Sequence, residues 1–364
     1  MGRAWYWPLR FEHLVNLDRL PRVSLARLPT PLEEAPRLAA TLGVARLLVK
    51  RDDLTDLALG GNKVRKLEFL LGEALARGAD TFITTASDQS NFLRLSAAAS
   101  ARLGLRPILV VRGRPEAPSR GNLLLMRLFG AEIRYVSTHD PYAESTIQLM
   151  QSIADEVRAR GGRPYVVHLA TISSALATVG YLPAAFELAD QIRAFGARAD
   201  HVAVAVGSGT TYAGLLLGLR QAGVAAHVLG ASVNIAAAVL REHVRTQMQD
   251  AAKMLGISAA AHDAEVDITD AHVGPGYGIP TPDSVDAVRL AARCEGLVFD
   301  PIYTGKAWAG LHHAVQSGAI APQSTVVFMH TGGAPNLFMH ADSLVGPDAL
   351  SRADAGGTHA RHSD

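Results

Sequence analysis

Lys63 stands behind two glycines and an asparagine in LALGGNKVRKLE, Leu57–Glu68, and an amphipathic run begins directly after it. Lysines and arginines total 35, yet only five are lysines (Lys50, Lys63, Lys66, Lys253 and Lys306) and 30 are arginines. A lysine can lose its proton when desolvated and act as a nucleophile, which an arginine cannot. Lys63 is therefore a candidate for imine-forming amine chemistry; the alternative is a solvated lysine on a helix surface, the expected fate of Lys66 and Lys306. A second stretch is AVAVGSGTTYAGL, in which Gly207, Ser208, Gly209, Thr210 and Thr211 follow a strand-like run and open a helix. Backbone N–H groups and the helix dipole favour an anion there. No Asp or Glu lies between His201 and Arg241, so a dinucleotide site would lack its ribose partner, and the lysine of a nucleoside-triphosphate loop is absent too. One phosphate monoester fits better; the alternative is a tight turn that binds nothing. FDPIYTGKAWAGL adds Tyr303 after a strand-like segment, and VVFMHTGGAPNLF adds Thr331 at a strand end.

Positioning these residues falls to alternating elements. ARLLVK, DTFITT, RPILVV, AEIRYV, RPYVVHL, HVAVAV, AHVLGASV and STVVFMH read as strands. KVRKLEFLLGEALARG, QSNFLRLSAAASARLG, SRGNLLLMRLFG, Pro141 to Arg160, Ala175 to Phe195 and TTYAGLLLGLRQAG read as helices. Short strands alternating with longer helices predict an α/β fold with parallel sheets covered on both faces. Ligands of such sheets sit beyond the carboxyl ends of the strands, at helix N-termini. No Pro/Gly/Ser-rich linker divides the chain, so a second domain would be inserted rather than appended.

Composition narrows the function. The chain has 364 residues, 48% hydrophobic and 19% charged, as expected of a soluble protein with a large core. Its net charge of +1 gives no bulk attraction for nucleic acid or an anionic membrane. One cysteine, Cys294, excludes an internal disulfide and a cysteine zinc cluster, and the 14 histidines show no paired metal spacing, so no metal site is expected. MGRAWYWPLRF lacks the apolar core of a signal peptide, no run is long enough to span a bilayer, and the expected location is the cytoplasm. A polar tail that frays is expected over 351–364.

An amine nucleophile and a phosphate cup together suggest pyridoxal phosphate, which also needs a ring-side aromatic group and a partner for its pyridine nitrogen. The blocks KRDDLTDLALGGNKVRKLEFLL, QSN, GNLLLMRLFGAEI, GSGTTYAGL, GYGIPT, DPIYTGKAWAGL and HTGGAP occur in this order over nearly the whole chain. In them the chain resembles the fold-type II pyridoxal-phosphate enzymes, in the branch of 1-aminocyclopropane-1-carboxylate deaminase and D-cysteine desulfhydrase. The resemblance implies two open, twisted, mostly parallel sheets with the cofactor in the cleft between. The large domain would comprise 1–65 and 176–350, and the inserted small domain 66–175. It also implies that Lys63 forms the imine and moves the α-proton, that Asn91 pairs with the cofactor 3′-oxygen, and that Ser90 lies near the substrate carboxylate. Gly207 to Thr211 would form the phosphate cup, Tyr303 and Tyr277 would be active-site phenols, and Thr331 would face the pyridine nitrogen. For the tyrosines the alternative is a core role, and for Thr331, Ser90 and Asn91 a helix cap. Thr304 tilts the reading to the desulfhydrase side, because the deaminases carry a glutamate there.

Departures from the pattern cluster on the substrate side. Ala86, Ser87 and Asp88 replace two glycines and an apolar residue before Gln89, Ser90 and Asn91; Phe92 replaces a polar residue; and Thr171 and Ile172 replace glycines ahead of Ser173. These positions predict a reshaped pocket and a small amino-acid substrate other than D-cysteine or the cyclopropane amino acid. For Asp88 the alternative is capping the helix that follows. The expected reaction is α,β-elimination to a 2-oxo acid and ammonia by a homodimer. Deaminase-type ring opening, a β-replacement synthase and a non-catalytic cofactor-binding descendant are the alternatives.

Overall fold

The computed structural model describes residues 16–345 apart from 116–117, 139, 141–142, 170–172 and 260–264. Thr171, Ile172, the first 15 residues and the expected tail over 351–364 lie outside the described residues. The fold is α/β with two mostly parallel sheets, as expected. One sheet runs in the order β1 (Leu32–Glu34), β2 (Arg46–Lys50), β10 (Thr325–Met329), β7 (His201–Val206), β8 (His227–Ser232), β9 (Asp267–Thr269), with only β1 antiparallel. The other is wholly parallel: β5 (Glu132–Val136), β4 (Arg106–Arg112), β3 (Thr81–Ser87), β6 (Pro164–Val167).

Period-two alternation explains how both faces of the first sheet are covered. Val202, Val204 and Val206 of β7, with Val327 and Met329 of β10, join one core with α2 (Lys63–Ala76) and the helices α6 (Ser174–Val179), α7 (Leu182–Ala194), α8 (Thr210–Gln221) and α9 (Ala237–Leu255). Ala203, Ala205, Val326 and Phe328 point the other way, into a second core with α1 (Pro36–Leu42), α10 (Pro282–Glu295) and α11 (Thr304–Gln316). The four-stranded sheet packs Ile83, Ile108 and Val110 against α5 (Glu144–Ala159). Its Leu109 and Val111 pack against α3 (Asn91–Leu103) and α4 (Gly121–Leu128).

The helix expected from Ala175 to Phe195 is two helices, α6 and α7. Pro183 lies in the first turn of α7, where its missing N–H costs nothing. At the break, Gly180 lets α6 approach α2 so closely that a Cβ would lie 2.9 Å from Lys66 Cα. Lys66 and Lys306 correct a second expectation, for both are fully buried rather than solvated.

A buried ionic cluster fixes the start of α2. The Arg65 guanidinium donates to Asp52 Oδ1 at 2.8 Å and to Glu187 Oε1 at 3.0 Å. Lys50, at the end of β2, pairs with Glu187 and donates to the Thr30 carbonyl at 2.7 Å. Tyr181 OH donates to Asp52 Oδ2 at 2.6 Å. Despite burial, the neighbouring cations hold Asp52 and Glu187 below the ordinary carboxylate range.

Candidate active site

Lys63 is the first residue of α2, and the loop before it is held in an unusual conformation. Asp56, Ala58 and Leu59 have φ of 76°, 47° and 70°, left-handed values that non-glycine residues adopt at a cost. The buried Arg94 of α3 offsets that cost by donating to the carbonyls of Ala58 and Gly60, the latter at 2.9 Å. Gly60, with φ 64°, passes so close to Asp53 that a Cβ would sit 1.8 Å from its carbonyl oxygen. The glycines before Lys63 are thus demanded by backbone approach. Lys63 Nζ donates to Asn62 Oδ1 at 2.9 Å, and burial lowers its pKa to about 8, with Asp300 opposing the shift.

The Gly207–Thr211 turn joins β7 to α8. Gly209 has φ 89°, and a Cβ there would lie 2.7 Å from Gln247 Oε1. Lys66 Nζ donates to Thr210 Oγ1 and Thr211 Oγ1, each at 2.6 Å, and Asn62 Nδ2 donates to Thr211 Oγ1 at 3.1 Å. Both threonine oxygens accept, Thr210 Oγ1 shares a further hydrogen bond of 3.2 Å with Ser208 Oγ, and the Thr211 hydroxyl keeps its own proton for a group in the turn. Burial, then repulsion from Lys63, pushes the Lys66 amine well below the ordinary lysine value.

Tyr277 and Tyr303 form a phenol pair, with hydroxyl oxygens 2.5 Å apart. Ser87 Oγ, at the end of β3, donates to Tyr277 OH at 3.2 Å, which ties the pair to the four-stranded sheet. Burial, the Tyr277 phenol and Asp300 raise the Tyr303 pKa well above the ordinary tyrosine value, and its hydroxyl keeps its proton at neutral pH.

One cavity of about 210 Å³ is lined by Lys63, Ser90, Phe92, Gly207, Ser208, Gly209, Thr211, Tyr277 and Tyr303 among others. It opens at the carboxyl ends of β3, β4, β6 and β7, where Thr85, Arg112, His168 and Val206 line it. Other expected site residues lie off its wall. Thr210 stands just behind it, on Lys66. Asn91 Oδ1 accepts from the buried Asn122 amide at 2.9 Å, and Gln89 accepts from the same amide through its carbonyl, at 2.8 Å. Asp88 packs beside Gly113. Ser173 faces a surface groove with Glu73 and Tyr165. The Thr331 carbonyl accepts from Asn62 N–H at 3.1 Å, which ties β10 to the Lys63 loop. Ser90 lines the cavity and also caps α3, accepting from Phe92 N–H and Leu93 N–H at 3.1 and 3.3 Å. Arg112, His168 and Asn234 were not legible as site residues, because each stands alone after a strand with no motif around it.

Comparison with known proteins bears directly on this geometry. The family model for pyridoxal-phosphate dependent enzymes matches residues 23–332. The chain belongs to that family. It is 40% identical to the D-cysteine desulfhydrase of Klebsiella pneumoniae (strain 342) over 336 residues, 91% of this chain and 99% of that protein. It superposes on the crystal structure of an ACC deaminase homologue with TM-score 0.83 and 34% identity, covering 93% of this chain and 99% of the other. Diaminopropionate ammonia lyase of Escherichia coli, at 18% identity and TM-score 0.65, covering 94% of this chain and 93% of that one, shares the fold.

Pyridoxal phosphate is accordingly the cofactor of this enzyme, and the residues present suit it. A lysine buried among threonine hydroxyls, with no carboxylate ion-paired to it among the described residues, gains its counter-charge from a phosphate, and a Cβ at Gly209 would crowd the cradle. Replacing Lys66 with methionine is expected to weaken cofactor binding by one to two powers of ten, from the loss of charge-assisted bonds of about 1.5–3 kcal/mol. Equilibrium dialysis reads this directly; affinity within about threefold of the parent's would show that Lys66 gives the cup nothing. Cofactor capture should also depend on pH. Only a neutral amine is nucleophilic, and with a pKa of about 8 roughly a tenth of Lys63 is neutral at pH 7. Reconstitution of cofactor-free enzyme should therefore accelerate about tenfold per pH unit up to about 8 and then level off, as stopped-flow absorbance can follow. A rate still climbing at pH 10 would mean that the Lys63 amine is not desolvated.

Proposed function

We propose that this enzyme eliminates a β-substituent from a small amino acid and releases a 2-oxo acid and ammonia, as a desulfhydrase does. The observation that carries this is the shared cavity, in which the Lys63 amine, the Tyr277–Tyr303 pair, Arg112 and Ser90 line one wall system and, among the described residues, no Asp or Glu joins the lining. Bound pyridoxal phosphate supplies the electron sink for charge left at the substrate α-carbon. Lys63 would hold it, with Gly207–Thr211 and Lys66 around the phosphate and Asn91, Tyr303 and Thr331 toward the ring. Lys63 Nζ takes the α-proton. The Ser90 hydroxyl accepts two backbone N–H groups and keeps its own proton for the substrate carboxylate, while Arg112 on the same lining sets a positive charge near Tyr303. Two phenols share one hydrogen bond, which leaves a proton for the departing group.

Among the described residues, Ala86 and Phe92 are departures from the family pattern that line the cavity, and Phe92 sets an apolar ring where the family carries a polar residue. Substrate preference should therefore differ from that for D-cysteine or the cyclopropane amino acid. We further read 66–175 as a small domain inserted in a large one, the assembly as a homodimer and the location as cytoplasmic; none of the described helices is long and apolar enough to cross a membrane. A panel of D- and L-cysteine, D-serine, β-chloroalanine, the cyclopropane amino acid and longer β-substituted amino acids, with 2-oxo acid and ammonia both measured, tests the reaction. Equal yields of the two are expected, with kcat/KM for D-cysteine below about 10⁴ M⁻¹s⁻¹. Products that keep the substrate nitrogen would contradict elimination, and faster D-cysteine turnover would show Phe92 to be neutral.

A further inference from the structure

We propose that Lys306 is a positioning residue, a buried latch that holds the loop carrying Tyr277 in register with Tyr303. Lys306 lies one turn into α11, the helix that Tyr303 opens. It is fully buried, and its Nζ donates to the Val273 carbonyl at 2.8 Å and to the Gly276 carbonyl at 3.3 Å. Those carbonyls bracket Gly274 and Pro275 in the turn GPGYG, Gly274–Gly278, which carries Tyr277.

This turn has little else to hold it. Gly274, Gly276 and Gly278 all have positive φ, of 67°, 154° and 79°, and bring no side chains to pack. Tyr277 and Ile279 are 39% and 46% exposed. The backbone bonds within the turn are long, Val273 N–H to the Asp270 carbonyl at 3.2 Å and Ile279 N–H to the Gly276 carbonyl at 3.4 Å. Burying an ammonium is costly, and an apolar side chain would fill the same space without that cost. What the ammonium adds is direction, because two carbonyls that would otherwise face an apolar helix are drawn to one point on α11. One helix then references both phenols, Tyr303 at its N-terminus and Tyr277 through Lys306. The 2.5 Å phenol contact and the Tyr277 contact with Ser87 follow from that reference. Burial lowers the Lys306 pKa to about 8, and Asp300 opposes that shift.

The catalytic consequence rests on the elimination reading above; the latch itself does not. Lys306→Met, Tyr277→Phe and the double variant are compared with the parent enzyme, cofactor loaded, by hydrogen exchange and by turnover of whichever panel amino acid the parent uses. Exchange over 273–280 is expected to rise about tenfold or more in Lys306→Met, with the rest of the chain unchanged. Cofactor retention should stay at the parent level, because Lys306 touches no part of the phosphate cup. kcat/KM should fall about 10–100-fold, mostly in kcat, and the double variant should fall no further than Tyr277→Phe alone. Unchanged exchange over 273–280, or losses that multiply in the double variant, would overturn the proposal. Exchange reads the latch whether or not any amino acid is turned over, so failure of the latch and failure of the elimination reading give different results. If Lys306→Met does not fold, Lys306→Gln, which keeps two N–H donors on a shorter arm, carries the same comparison.

Discussion

Replacing Lys63 with alanine is expected to lower turnover by about 10³-fold or more, the scale of losing both a nucleophile and a general base. No other lysine can stand in. Lys66 and Lys306 are engaged with threonine hydroxyls and backbone carbonyls, Lys50 belongs to the ionic cluster, and Lys253 is exposed on α9. Lys63 is also the one lysine on the cavity lining. The fold and the phosphate cup should survive, because neither Thr210 nor Thr211 depends on Lys63, and its removal relieves the repulsion that Lys66 feels. The variant should therefore still take up cofactor, more weakly and with a changed absorption spectrum. Lys63→Arg keeps the charge and should be equally inactive, since a guanidinium does not form an imine. Steady-state rates within tenfold of the parent in either variant would remove Lys63 from the chemistry.

Replacing Arg65 with methionine should destabilise the protein by about 3–5 kcal/mol, the cost of taking one partner from a buried ion cluster. Asp52 is fully buried and accepts from Arg65 through both oxygens, so the variant strands a carboxylate beside α2. The pH dependence should change sign with it. In the parent, Asp52 and Glu187 are held below their unfolded values. Their contribution is complete above about pH 5 and is lost as the pH falls through the lowered folded values. In Arg65→Met the stranded carboxylate is raised above its unfolded value, so acidification from pH 7 towards 5 should recover part of the lost stability. Denaturant unfolding at several pH values gives both results, and a loss below about 1 kcal/mol with parental pH dependence would contradict them.

The two kinds of residue in this site differ in how far sequence discloses them. Lys63, Gly209 and Thr211 stand where backbone conformation and chemistry coincide, in glycine-rich turns that are readable locally, whereas Tyr303 opens α11 after a segment that forms no strand, contrary to the strand-like reading of it. Strands β2, β7 and β10 and helices α2, α3 and α8 were legible because their apolar periods run for several residues. The three-residue β1 and β9 carry no period at all, and α6 and α7 read as one helix because Gly180 and Pro183 interrupt the apolar pattern only briefly. Lys66 and Lys306 were misjudged for a physical reason. A lysine on a helix is normally solvated, and what buries these two comes from distant segments: the threonines of α8 for one, the Val273–Gly276 turn for the other. Arg112 and Arg65 share that character, since the cavity and the ionic cluster exist only after β4, α2 and α7 have packed. On the substrate side, Phe92 lies on the cavity wall, while Asp88 packs beside Gly113; both replace residues of the family pattern on either side of Gln89–Asn91, and spacing alone does not separate them.

Borohydride reduction of the cofactor-loaded enzyme, followed by peptide mapping, tests the central assignment most directly. Reduction fixes the cofactor to whichever amine holds it, so the result does not depend on knowing the substrate. The expected outcome is one modified residue, Lys63, with the visible absorption lost in step. Modification at Lys50, Lys66, Lys253 or Lys306, or cofactor that washes away unreduced from folded protein, would contradict it.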